Sequence, residues 1–213
     1  MDTIIRFFQE GGTFMYPIAI ILAIGLAVTL ERFIFLSREK SSNRRSFEEV
    51  LPMLQKRDFR AALNYTNASD AKISTIFAAG ISRIPTGRRE DIELAMEEGV
   101  MEAIPQLEKR TQYVATLANI ATLMGLLGTI MGLIAAFTAV ANAAPADKAT
   151  LLSQSISVAM NTTAFGLMAA IPLLLSHTFL QAKTNEIVDS IEMAGVKFLN
   201  IVTERKPSPT KEG

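Results

Sequence analysis

Charge is missing from three long stretches of this chain, and that absence constrains the fold more than any other feature. Residues 11–30, 111–146 and 149–182 contain no Asp, Glu, Lys or Arg, giving runs of 20, 36 and 34 residues. A helix needs about 20 mostly apolar residues to cross roughly 30 Å of hydrocarbon, and it must satisfy its own backbone polar groups there. Each run meets that length, so an all-α membrane protein with three transmembrane helices is expected. The expected boundaries are an external N-terminus at 1–13, spans at 14–36, 111–141 and 150–180, and an external connector at 142–149. A cytoplasmic helical domain is expected at 37–110, a cytoplasmic helix at 181–206 and a disordered tail at 207–213. The first span lacks the basic start and small-residue cleavage site of a signal peptide and reads as a retained anchor.

Orientation follows from Lys and Arg. Only Arg6 precedes the first span and only Lys148 lies in the connector, whereas the other 19 of 21 basic residues lie on the side of the long loop and tail. By the positive-inside rule the N-terminus faces out and the C-terminus is cytoplasmic.

The 21 acidic residues balance the 21 basic ones, so there is no electrostatic footprint for nucleic acid. No Cys and a single His exclude thiolate or His-rich metal sites, and no cofactor is implied. The Ser176-His177 pair does not make a hydrolase, because adjacent helical residues point about 100° apart and no carboxylate lies nearby to orient the imidazole.

The loop reads as soluble helices. Phe47, Val50, Leu51, Leu54, Phe59, Ala62 and Leu63 fall at three- and four-residue spacings in one pattern, and Ile73, Ile76, Phe77 and Ile81 form a second. Pro85-Thr86-Gly87 is a turn, with Thr86 as the expected N-cap of a helix whose first acidic residues are Glu90, Asp91 and Glu93. That helix is expected to continue into the second span, with a kink at Pro105. The third span is expected to continue along Ile187, Ile191, Ala194, Phe198 and Ile201, so that both spans extend into the cytoplasm.

Two spans carry small residues on one face. In the second, Ala115, Ala118, Thr122, Gly125, Thr129, Gly132 and Ala136 recur every three or four residues, and Gly128 pairs with Gly132 at small-xxx-small spacing. In the third, Ala159, Thr163, Gly166, Ala170, Leu173 and His177 do the same, with Asn161 and Thr162 beside them. Small faces let helix backbones approach closely, either within one subunit or around a space shared between subunits. Thr129 and Thr163 sit near mid-span, where hydroxyls can relay a proton or replace part of an ion's hydration shell, although such hydroxyls commonly bond to their own helix. His177 reads first as an interfacial hydrogen-bonding residue and second as a relay. Glu31 and Arg32 read as an interfacial anchor.

The blocks MGLLGTIMGLIAAF (124–137) and SVAMNTTAFGLMAAIPLLL (157–175), with the LERFIFL exit from the first span, resemble the TolQ/ExbB branch of the MotA/TolQ/ExbB proton-channel family. The resemblance implies a homo-pentamer in the inner membrane of a Gram-negative bacterium, enclosing the spans of an ExbD- or TolR-like dimer whose membrane Asp carries the proton. It implies an ion-channel stator that converts a proton or sodium gradient into work on the envelope. Thr129 and Thr163 match its two pore threonines, the resemblance allows Glu31 and Arg32 an intersubunit ion pair, and a Glu often found five residues before the second threonine is replaced by Val158. A structural membrane scaffold without conduction is the competing reading.

Overall fold

The computed structural model describes residues 11–203. They form six α-helices: α1 (Met15–Gln55), α2 (Phe59–Ala68), α3 (Lys72–Arg83), α4 (Arg89–Glu108), α5 (Thr111–Asn142) and α6 (Lys148–Thr203), with a 3₁₀ turn at Ile84–Thr86. No strand occurs among the described residues. Three of the helical stretches are long and apolar enough to cross a membrane. The chain divides into two compact units, of which the first holds the described residues up to Phe33 together with Arg110–Gln181. The second holds Ile34–Lys109 and the described residues from Ala182 onward.

The first unit is packed inside out relative to a water-soluble bundle. On α5 the buried positions are small, Ala118, Ala121, Gly125, Gly128 and Ala136, while Leu123, Leu126, Ile130, Ile134 and Phe137 point outward. On α6 the small residues Ala159, Ala169 and Ala170 are buried together with Phe165, Leu173 and Leu180, while Met160, Met168, Ile171 and Leu175 are exposed. In lipid there is no hydrophobic gain from burying a leucine, so close backbone packing selects small residues inside and leaves large ones outside. Pro172 removes one backbone donor within α6, and the Ser176 hydroxyl donates to the Pro172 carbonyl at 2.7 Å.

The second unit has an ordinary apolar core. Phe77, Phe198, Leu54, Ile76, Leu107 and Ile187 are fully buried, each contributing about 1.5–3 kcal/mol by leaving water. The rings of Phe77 and Phe198 stack at a centroid distance of 5.0 Å. Asn43 Oδ1 accepts from the Ile73 amide at 3.1 Å, satisfying one of the open donors at the start of α3.

Three local expectations are corrected. The apolar pattern from Phe47 to Leu63 is two helices: Pro52 lies in the last turn of α1, Arg57 adopts φ +60°, and Asp58 caps α2 by accepting from the Ala61 amide at 3.0 Å. Thr86 does not cap α4. Its hydroxyl donates to the Arg83 carbonyl at 2.6 Å, and Arg88 holds the N-cap position. Nor does α4 run on into the second span, because the helix ends at Glu108 shortly after Pro105 and Arg110 turns left-handed at φ +68° before α5 begins.

Burial pushes the Glu39 carboxyl above its ordinary range, an effect that Lys72 and Arg38 partly offset. Its Oε2 is buried and has no hydrogen-bond partner among the described residues. A carboxyl that holds its proton more tightly when folded makes the unfolded state the weaker proton binder, so stability falls as pH rises through the window above about 4.3. Glu39→Gln is therefore expected to raise the thermal midpoint at neutral pH, with the gain fading as the pH is lowered toward about 4. A midpoint difference that stays constant from pH 4 to 8, on the scale of carboxyl titration, would show that the charge is not the cause.

Candidate ion-path site

The two small-residue stripes meet each other within the first unit. Gly125 and Gly166 mark the closest approach: a Cβ on Gly166 would stand 2.8 Å from the Ala121 carbonyl oxygen and 2.9 Å from Gly125 Cα. Both are backbone atoms and cannot rotate away, so glycine is required there. Outward along the same contact, Gly128 lies against Thr162 and Gly132 against Ala159. The pairings run antiparallel, Gly132 with Ala159, Thr129 with Thr163 and Gly125 with Gly166.

That contact brings the two mid-span threonines together. The hydroxyls of Thr129 and Thr163 hydrogen-bond to each other. Thr163 Oγ1 also donates to the Gly125 carbonyl at 3.0 Å, and Thr129 Oγ1 lies 3.2 Å from that carbonyl and 3.3 Å from the Ala159 carbonyl. The two hydroxyl protons thus face several acceptors, and both side chains are half-buried, at the rim of the helix contact rather than sealed within it. Such a pair can exchange donor and acceptor roles by rotating its O–H bonds.

The other predicted residues are spread around this pair. Thr162 is buried at 2% exposure, and its hydroxyl donates to the Gly11 carbonyl at 2.6 Å with the Val158 carbonyl an alternative at 3.0 Å. Asn161 is half-exposed beside it, Ala170 is buried, and Thr122 points outward with its hydroxyl on the Ala118 carbonyl at 3.2 Å. Val158 packs beside Gly12, where a Cβ would meet its methyl at 3.1 Å. At the other end of the spans Arg32 is buried at 3% exposure, and Glu31 pairs with Arg110 of the same chain at 3.4 Å. This pair is exposed and contributes little to stability. His177 is half-buried, with Nε2 buried.

Sequence reasoning missed the segment Gly11–Phe14, which closes on the stripes through the Gly11 carbonyl, Gly12 and Phe14, the last standing 3.2 Å from where a Gly128 Cβ would be. The Gly11-Gly12 doublet was the available signal. It missed Thr111 as well, a buried hydroxyl at the first residue of α5.

Comparison with known proteins matches residues 68–193 to the MotA/TolQ/ExbB proton channel family. An ExbB homolog of biopolymer transport from Methanothermobacter thermautotrophicus is 26% identical over 193 residues, 90% of this chain and 67% of its own. The biopolymer transport protein ExbB of Aquifex aeolicus is 30% identical over 51% of this chain and 72% of its own. The Tol-Pal system protein TolQ of Haemophilus influenzae is 34% identical over 44% of this chain and 40% of its own. With its three apolar helices and its two glycine-lined spans, the chain belongs to the MotA/TolQ/ExbB proton channel family, in the ExbB/TolQ branch, as an energy-transducing membrane subunit.

Proposed function

We propose that this chain is the ring-forming subunit of an ion-driven envelope motor. Copies of it, five by family resemblance, surround the spans of an ExbD- or TolR-like dimer in the inner membrane, with the N-terminus outside and residues 37–110 in the cytoplasm. Ions pass between the Thr129–Thr163 pair and an Asp of the enclosed partner, and the gradient drives the partner's movement against the ring. The observation that carries this reading is the hydroxyl pair itself, half-buried at mid-span in helices whose cores hold no carboxylate. Hydroxyls supply exchangeable sites without a titratable relay, so the carboxylate has to come from the partner. Moving one charge through 100 mV releases about 2.3 kcal/mol, enough to do work when several are coupled.

The stripes do not themselves argue for a ring, since they bury each other within one subunit. This favours a second reading, a scaffold whose threonines only bond to carbonyls, as Thr163 does to Gly125. Flux separates the two. Liposomes with this chain alone should conduct protons and sodium poorly. Flux should appear with the Asp-bearing partner and vanish when that Asp is changed to Asn. Equal flux in all three preparations would overturn the proposal, and no flux in any would favour the scaffold.

A further inference from the structure

His177 Nε2 and Thr111 Oγ1, buried polar atoms of the first unit at the same end of α5 and α6, have no hydrogen-bond partner among the described residues. Leaving such a group unpaired costs about 1–3 kcal/mol, so each calls for a physical reason. Their relation can be read from the register. Gly125 and Thr163 touch through a 3.0 Å hydrogen bond, and Thr111 and His177 are each displaced from them by 14 residues, two heptads along each helix toward the same end. Over that interval Val114, Ala118, Ala121 and Ala170 are buried, and Leu173 packs against Gly25 of α1. In the register that sets Gly125 against Gly166, Thr111 and His177 stand within one helical turn of the same level.

We propose that Thr111 Oγ1 and His177 Nε2 share one bridging water and form a proton-transfer station about 21 Å along the helices from the Thr129–Thr163 pair. The proposal rests on the ion-path reading above. A water between a hydroxyl, which donates and accepts, and an imidazole nitrogen has the polar partners that a buried water requires. Imidazole is also the side chain that exchanges a proton between pH 5 and 8. The step balances simply: an O–H bond of a protonated water breaks as the Nε2–H bond forms, and the reverse returns the proton to water nearer the helix ends. The charged groups at this end of the unit are Arg32 and Glu31 on α1 and Arg110 before α5, and α6 carries none between Lys148 and Lys183.

His177 is the only histidine, so ¹⁵N-histidine labelling of the full chain in nanodiscs reads this one ring. The ring signal and its titration are expected to move in Thr111→Val and to return in Thr111→Ser. They should be unaffected in Thr138→Val, whose hydroxyl bonds to the Ile134 carbonyl on an exposed face. With the Asp-bearing partner in liposomes, His177→Gln should lower proton flux about tenfold or more and flatten its profile between pH 5 and 8. A ring signal indifferent to Thr111→Val would refute the shared water. A ring that responds while His177→Gln conducts normally at every pH would overturn the station. Absence of flux in the unsubstituted complex would overturn the ion-path reading and the station with it, while the ring signal still reports whether the bridge exists.

Discussion

Gly166→Leu will separate α5 from α6 and lower the thermal midpoint in detergent by several degrees or more. A Cβ alone at that position meets the Ala121 carbonyl oxygen at 2.8 Å and Gly125 Cα at 2.9 Å, so the added atoms displace backbone rather than a rotatable side chain. Overpacking of this kind costs about 1–3 kcal/mol and more where nothing can yield, and each kcal/mol moves the midpoint of a chain this size by roughly 2–4 °C. Gly195→Ala is the opposite case. Its Cβ would meet only the Met96 methyl at 3.5 Å, an ordinary contact, and alanine in a helix interior is about 0.5–1 kcal/mol better than glycine. The two substitutions should move the midpoint in opposite directions. If Gly166→Leu unfolds with the unsubstituted protein, the close contact between the stripes does not exist.

The periodicity that exposed the stripes was legible because small residues at three- and four-residue spacing have one physical use in a membrane, close approach of backbones. What they approach was not legible, since the face of α5 that fits a neighbouring subunit is written in the same residues as the face that fits α6. Within one chain Gly125 and Gly166 bring these faces of α5 and α6 together, each lying in the other's path. Apolar runs likewise revealed the spans but hid the breaks. The α1–α2 and α4–α5 breaks both turn on arginines in the left-handed region, Arg57 and Arg110, and arginine gives no sequence sign of that conformation. Thr86 showed the limit of capping rules, because a hydroxyl beside a 3₁₀ turn found a carbonyl behind it before it could serve the helix ahead. The pairing of Thr129 with Thr163 was half legible: depth along each span put them at one level, but only the antiparallel register brought the hydroxyls into contact.

That contact sharpens the test of the threonines. Thr→Val keeps the shape of the side chain and removes the hydroxyl, but at position 163 it also takes the donor from the Gly125 carbonyl, 3.0 Å away. That carbonyl is still approached by Thr129 Oγ1 at 3.2 Å, so the loss to stability is partly covered, and interhelical hydrogen bonds in membranes average only about 0.6 kcal/mol. Assembly should therefore survive Thr163→Val. Flux should not, because a hydrogen bond to a charged group is worth about 1.5–3 kcal/mol, or roughly ten- to a hundredfold in rate. Thr129→Val is expected to act in the same direction, and the double substitution to add little beyond the first, since the pair works as one unit. Thr163→Ser should restore most of the flux by restoring the hydroxyl. The measurement is proton and sodium flux with the Asp-bearing partner, read beside the oligomeric mass of each variant. Full flux in the double valine variant with the mass unchanged would make these hydroxyls packing groups only and leave the scaffold reading in possession of the site.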